Sequence, residues 1–306
     1  MKGFRAALLC VALCSTLISL AAAQDPVRIL ACEPEWAALA EEIGGDDVIV
    51  HSATHGRQDA HYIRARPSLI AKVRRADIVF CSGAELEVGW LPVLMHRGAR
   101  QIVQPGQPGH IMAADHVEVL ERPEVIDRSL GDIHPSGNPH VHLDPRNIAT
   151  LAEVLALRLV RIDSSRSDVY RERLASFQTR WADAMAGWQE RAEKLRGMKV
   201  IVHHKSWAYL LHWAGLERLA PLERVSGIPP TASHLAQVLE LAQGSDAKAI
   251  LLAPFEPTDA ADWLSRKTAI PVVELPFTVG GHAEVQDLFS LFDVTLTMLQ
   301  EAGDRP

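Results

Sequence analysis

The stretch RSDVYRERLASFQTRWADAMAGWQERAEKLR, residues 166–196, decides the fold. Its large apolar residues recur in steps of three or four, which is the spacing of one continuous stripe along a single helix. They are Tyr170, Leu174, Phe177, Trp181, Met185, Trp188, Ala192 and Leu195. At a rise of about 1.5 Å per residue, such a helix is roughly 45 Å long. Because a helix of that length is long for one small lobe to bury, we expect it to join and brace two lobes, with a coiled-coil arm as the alternative.

Short apolar runs alternate with helical patterns on both sides of this stretch. Before it, the predicted strands cover 27–32, 47–51 and 78–81, and the predicted helices cover 35–43, 67–75 and 146–162. After it, the predicted strands cover 199–203, 247–252 and 271–275, and the predicted helices cover 206–215, 257–265 and 288–300. Strand–helix–strand units at these spacings predict parallel sheets with right-handed crossovers.

The predicted fold class is therefore α/β, with two (βα) lobes whose parallel sheets are joined by one long bridging helix. The expected lobes are residues 24–165 and 197–306, and the bridging helix at 166–196 lies between them. In sheets of this kind, ligands bind in the crevice beyond the carboxyl ends of the strands. We therefore expect the functional site in the cleft between the two lobes.

The first 23 residues predict an exported protein. Lys2 and Arg5 precede an apolar run over 6–20, and three alanines at 21–23 supply a cleavage site, which is the pattern of a signal peptide over 1–23. The apolar run is too short to be a comfortable membrane span. We expect a soluble, periplasmic protein.

Charge and cysteine content narrow the class further. The formal net charge is −7, and this acidic balance argues against nucleic acid or an anionic membrane surface as a partner. Outside the predicted signal peptide, the cysteines are Cys32 and Cys81, and each ends a predicted strand. An oxidising compartment permits a disulfide between them. Two separate buried side chains are the commoner outcome for such cysteines, so the sequence leaves the disulfide open.

The stretch GNPHVHLDPRN, residues 137–147, carries the strongest chemical signal. Neutral imidazole is a good ligand for Zn²⁺, and the flanking prolines hold His140 and His142 on stiff backbone. Asp144 is placed to cap the helix that begins at Pro145. Two functions fit these residues: one corner of a metal-carrying site, or a metallohydrolase that uses His140, His142 and Asp144.

Other histidines divide into two groups by their position. His204 directly follows the strand predicted at 199–203, and His61 follows the second strand and its loop, so both should reach the same cleft as His140. By contrast, His110, His116 and His134 lie in the irregular stretch 101–139. Since loops tolerate polar residues, we predict that these three are ordinary solvated side chains.

Three segments resemble one family in order and spacing. DAHYIRARPS at 59–68, NPHVHLDP at 138–145 and HKSW at 204–207 are similar to segments of the periplasmic metal-binding components of ABC uptake transporters for zinc and manganese, the cluster A-I solute-binding proteins. The resemblance implies a binding protein rather than an enzyme, with His61, His140 and His204 as metal ligands. It also implies a membrane permease as partner, a periplasmic metallochaperone as a further candidate partner, and a monomeric state.

The sequence departs from the family at the fourth ligand. The family often has an aspartate after the last strand of the second lobe, whereas this chain reads VVELPFTVGG at 272–281. The candidates for the fourth position are a water molecule, Glu274, His282, Glu256 and His142. Three imidazoles suit Zn²⁺ better than Mn²⁺, so we predict zinc, with a manganese- or iron-binding homologue as the alternative.

Overall fold

The computed structural model describes residues 25–124 and 134–305. The predicted signal peptide therefore lies outside the described residues. Within these two ranges, no helix is both long enough and apolar enough to cross a membrane.

The first lobe is built on a four-stranded parallel sheet in the order β2-β1-β3-β4. The strands are β1 (Val27–Ala31), β2 (Val48–Ser52), β3 (Ile78–Cys81) and β4 (His110–Met112). The helices are α1 (Pro34–Gly44), α2 (Pro67–Val73), α3 (Leu91–Gly98) and α4 (Pro145–Ile162). The sequence did not predict β4 and α3, because a three-residue strand and an eight-residue helix are too short to show a clear period. Asp144 caps α4 as predicted, accepting from the backbone N–H of Arg146 at 2.9 Å.

The second lobe repeats the topology of the first, with the strand order β6-β5-β7-β8 and parallel pairing throughout. Its strands are β5 (Lys199–Val202), β6 (Glu217–Pro221), β7 (Ala249–Leu252) and β8 (Val272–Glu274). Its helices are α6 (Ala208–Ala214), α7 (Ala232–Gln243), α8 (Asp259–Thr268) and α9 (Leu288–Gly303). Strand β6 was not predicted because it lies at the edge of the sheet and only Ala220 is buried, so it lacks the apolar run of a central strand.

The bridging helix α5 (Ser167–Glu193) joins the lobes, and the predicted fold class is confirmed. It packs against α1 and α4 of the first lobe and against α9 of the second. Most of its stripe is buried, and Leu174 and Met185 are partly buried against the core. Trp181 packs edge to face against Trp188 and Phe289, with ring centroids 4.9 Å and 4.8 Å apart. One continuous hydrophobic core runs from the first sheet through α5 to the second lobe. This shared core restrains how far the lobes can separate.

Cys32 and Cys81 form a disulfide in the first lobe. Each cysteine lies at the carboxyl end of its strand region, where β1 and β3 are paired neighbours, with Ala31 opposite Phe80. The sequence leaves the disulfide open, and the structure forms it because strand pairing brings the two sulfur atoms together.

Candidate metal centre

The carboxyl ends of both sheets face a cleft lined by histidines. A cavity of about 190 Å³ lies between His61, His140 and His204, with Glu223 and Phe277 also in its wall. The structure thus brings together the three predicted ligands from well-separated parts of the chain. His61 lies in a short 3-10 turn, His140 precedes the turn that leads into α4, and His204 lies two residues after the end of β5.

His61 is oriented by a carboxylate two residues before it. Asp59 Oδ1 lies 2.7 Å from His61 Nδ1 and also accepts the backbone N–H of His61 at 2.9 Å. Burial raises the pKa of Asp59, but the bonds from His61 outweigh this effect and lower it overall. An ionised Asp59 keeps the proton on Nδ1, which leaves the Nε2 lone pair for a metal.

His204 is oriented in the same way by a distant residue. Glu223 Oε2 lies 2.8 Å from His204 Nδ1, and Glu223 Oε1 lies 3.3 Å from His203 Nε2. The backbone N–H of Gly227 also donates to this carboxylate at 2.9 Å. Burial raises the pKa of Glu223, but these bonds outweigh it and lower the pKa to about 2. Glu223 is thus an anion that fixes the tautomer of His204.

His140 is the most deeply buried of the three histidines, and its ring is available to bind a metal. The residue is 4% exposed, and neither of its ring nitrogens has a hydrogen-bond partner among the described residues. Burial, together with the neighbouring His61 and His142, lowers the pKa of His140 well below its usual range, so the imidazole is neutral. A buried polar atom without a partner is costly, and a neutral imidazole is the form that binds metal.

The distances between the histidine rings are slightly longer than those between rings that bind one metal ion. The ring centroid of His61 lies 5.8 Å from that of His140 and 6.3 Å from that of His204. Imidazoles that share one tetrahedral zinc, with Zn–N bonds near 2.0–2.1 Å, have centroids about 5 Å apart. A metal ion would therefore draw these rings together by roughly an ångström.

His134 also lies at this site, which corrects the sequence prediction. The sequence predicts a solvated loop side chain, yet the Nε2 of His134 lies 3.1 Å from the Nε2 of His61 and the two ring centroids are 5.2 Å apart. A second cavity, of about 340 Å³, is lined by His134, His140 and His204 together. For His110 the structure shows a different role, since its Nδ1 contacts the carbonyl of Val103 at 3.1 Å. In the sequence, the one feature that could have pointed to His134 as a site residue is its position six residues before His140.

Three of the predicted candidates for the fourth position are engaged elsewhere. Glu274 forms an ion pair with Arg57 at 3.2 Å on the surface. His142 is buried, with Nε2 3.0 Å from the carbonyl of Phe277 and Nδ1 3.1 Å from Glu35. His282 Nδ1 accepts the backbone N–H of Glu284 at 3.3 Å.

Glu256 is the one protein candidate of that group that lines the histidine cavity. Its Oε2 accepts the backbone N–H of Ala253 at 2.7 Å, and burial raises its pKa to about 7. This carboxyl therefore carries a proton in a large share of molecules near neutral pH.

The metallohydrolase alternative needs Asp144 and His142 at the metal, and both are occupied. Asp144 caps α4 and forms an ion pair with Arg146 at 2.6 Å. His142 makes the contacts with Phe277 and Glu35 described above. The stretch 137–147 therefore directs His140 alone into the cleft.

Fold and site together define a class: two-lobed α/β proteins with a candidate metal centre between parallel sheets. A model of the family described as zinc-uptake complex component A, periplasmic (ZnuA), matches residues 29–302. The chain belongs to that family.

Individual relatives are more distant. The chain is 26% identical over 167 residues to the manganese ABC transporter substrate-binding lipoprotein PsaA of Streptococcus pneumoniae, covering 54% of this chain and 51% of PsaA. It is 23% identical over 167 residues to the iron ABC transporter substrate-binding lipoprotein MtsA of Streptococcus pyogenes serotype M1, with the same shares of the two chains. The chain thus spans about half the length of the curated relatives it matches.

Solved structures show the same fold. The crystal structure of ZnuA is 22% identical and superimposes with a TM-score of 0.75, covering 90% of this chain and 99% of that one. The Mn-bound periplasmic metal binding protein from Candidatus Liberibacter asiaticus is 16% identical, with a TM-score of 0.73 and the same coverage.

Proposed function

We propose that this protein is the periplasmic substrate-binding component of an ABC transporter, which captures Zn²⁺ in the cleft between its lobes. His61, His140 and His204 hold the ion through ring nitrogens. The observation that carries this proposal is the buried imidazole of His140, whose two nitrogens have no hydrogen-bond partner among the residues that the structure describes. It lies beside two histidines that are already oriented by carboxylates. In this arrangement the ion is cargo, so the protein is a carrier and not an enzyme.

Zinc is preferred over manganese because of the donor atoms. Mn²⁺ favours carboxylate, carbonyl and water oxygens, whereas imidazole suits zinc. Here the two best-placed carboxylates, Asp59 and Glu223, contact Nδ1 atoms of histidines and orient them. The relatives named for manganese and iron keep a manganese- or iron-binding role as the alternative.

The partner in this proposal is a membrane permease that receives the ion from the loaded protein. A periplasmic metallochaperone is a candidate donor of the ion, and the protein acts as a monomer. The continuous core through α5 supports a small closing movement of the lobes rather than a wide hinge. A closure of roughly an ångström is enough to bring the rings to the distances of a zinc site.

Calorimetry of the mature chain tests the proposal, with Zn²⁺ as titrant and Mn²⁺ as competitor. We expect one tightly bound zinc per chain that manganese does not displace. His96→Ala, an exposed histidine on α3, is the control and should bind as the native protein does. Zinc binding that survives His61→Ala, His140→Ala and His204→Ala together would overturn the proposal.

A further inference from the structure

We propose that His134 supplies the fourth ligand, so that the ion is held by four imidazoles. This inference rests on the proposed function and adds to it a residue that the three matched segments do not contain. The family often has an acidic ligand after β8, and this chain has no aspartate there. His134 would take the place of that ligand.

The first argument is the distance between ring nitrogens. Two imidazoles on one tetrahedral zinc, with Zn–N bonds near 2.0–2.1 Å, have their ligating nitrogens about 3.3 Å apart. The Nε2 atoms of His61 and His134 are 3.1 Å apart. Since Asp59 engages Nδ1 of His61, the Nε2 of His61 is its ligating atom, and His134 already lies at the separation that a shared ion requires.

The second argument is that His134 and His140 line the same cavity. His134 lines the cavity that also contains His140 and His204. His140 is 4% exposed, and within residues 25–124 and 134–305 neither of its ring nitrogens has a hydrogen-bond partner. An ion bound between His61 and His134 is therefore also within reach of the imidazole that most needs a ligand.

The third argument is that the backbone after His134 is anchored to the first lobe. Glu85 accepts the hydroxyl of Ser136 at 2.8 Å and its backbone N–H at 3.2 Å. The carbonyl of His134 accepts the N–H of Gly137 at 2.9 Å, which closes a turn. These bonds hold His134 at the carboxyl end of β3, on the same side of the cleft as His61.

The turn that presents Glu85 is itself strained. Ala84 and Glu85 have φ values of 46° and 62°, in the left-handed region that side chains other than glycine rarely adopt. Residues in this conformation persist only where the surrounding structure holds them there. Because the carboxylate of Glu85 holds Ser136, Glu85 is a positioning residue for His134.

A site of four imidazoles has a distinct chemical preference. With four nitrogen donors and no oxygen, it favours Zn²⁺ and disfavours Mn²⁺ more strongly than three histidines with a water or a carboxylate. His134 therefore determines specificity as well as affinity in this proposal.

The test is His134→Ala and His134→Asp in the mature chain, measured by zinc competition titration and by X-ray absorption at the zinc edge, which counts bound imidazoles. We expect four imidazoles in the native protein and three in His134→Ala, with unchanged stoichiometry and affinity reduced by 10- to 100-fold. In His134→Asp we expect three imidazoles and one oxygen, with relatively stronger Mn²⁺ binding. His116→Ala, from the same stretch but outside both cavities, is the control and should match the native protein.

Glu85→Ala tests the anchoring separately. We expect it to weaken zinc binding less than His134→Ala does, and to cause no additional loss when combined with His134→Ala, because both changes act through one ligand. Three imidazoles in the native protein, with His134→Ala binding zinc within twofold of it, would overturn the inference and leave the three-histidine proposal intact. A native protein that binds no zinc would instead refute the proposed function itself.

Discussion

The two lobes orient their metal-binding histidines in two different ways. Each presents a histidine whose Nδ1 lies against a carboxylate, at 2.7 Å for His61 and 2.8 Å for His204. In the first lobe the carboxylate is Asp59, two residues away in the same turn. In the second it is Glu223, nineteen residues away and beyond an edge strand. The same chemical result is therefore local in one lobe and tertiary in the other.

This difference shows why one partner can be recognised in the sequence and the other cannot. Asp59 belongs to the DAHYIRARPS segment, where its spacing from His61 is fixed by the chain. Glu223 reaches His204 only because β6 pairs with β5 and returns the chain to the carboxyl end of the sheet. Glu223 also contacts His203 and the N–H of Gly227, so more of the structure depends on it.

The largest expected effect concerns the disulfide, which only the first lobe has among the described residues. Cys32 and Cys81 are 49 positions apart, and closing a loop of that size in the unfolded chain corresponds to about 4 kcal/mol. We expect Cys32→Ser with Cys81→Ser to lower the free energy of unfolding by up to about this amount in urea titrations.

The shared core also predicts how the variant without the disulfide unfolds. Because one core crosses both lobes, unfolding should remain a single transition, and amide exchange should accelerate in both sheets. Faster exchange in β1–β4 with unchanged protection of β5–β8 would contradict the continuous core and show that the lobes unfold independently.

A smaller effect is expected from the two orienting carboxylates. Glu223→Gln should weaken zinc binding by about 10- to 100-fold, since partners of metal-bound histidines commonly contribute that much. Asp59→Asn should fall at the lower end of the same range, because the short turn around His61 still restricts the ring. Competition titrations measure both, and a larger loss for Asp59→Asn would reverse the comparison between the lobes.

The smallest effect is on acid stability of the metal-free protein. The pKa of Glu223 is lowered to about 2 in the folded state, so this residue stabilises the fold above its ordinary pKa near 4.5 and loses that contribution as the pH falls toward 2. Glu223→Gln should therefore flatten the loss of stability across this window. Asp59→Asn should flatten it in the same direction, and chemical denaturation at a series of pH values measures both. If Glu223→Gln loses stability as steeply as the native protein, Glu223 is not the group responsible.

Much of the site could be predicted because its strongest signals are local. The segments around His61, His140 and His204 carry fixed spacings, and Asp144 before Pro145 predicts the cap of α4. His134 could not be predicted in this way, because its position depends on the bonds between Ser136 and Glu85 across the fold. His142 is a candidate ligand in the sequence because its tertiary contacts cannot be seen there. Nothing in the sequence indicates that Phe277 and Glu35 contact its ring.

By itself, the sequence determined the α/β class, the bridging helix and the three histidine segments, since periodicity and spacing are properties of the chain. Only the tertiary structure decided the disulfide, the edge strands β4 and β6, and the partners of His204. It also decided that His134 lies beside His61. These features depend on which loops return to the carboxyl ends of the strands, and that is set by strand order and by packing around α5.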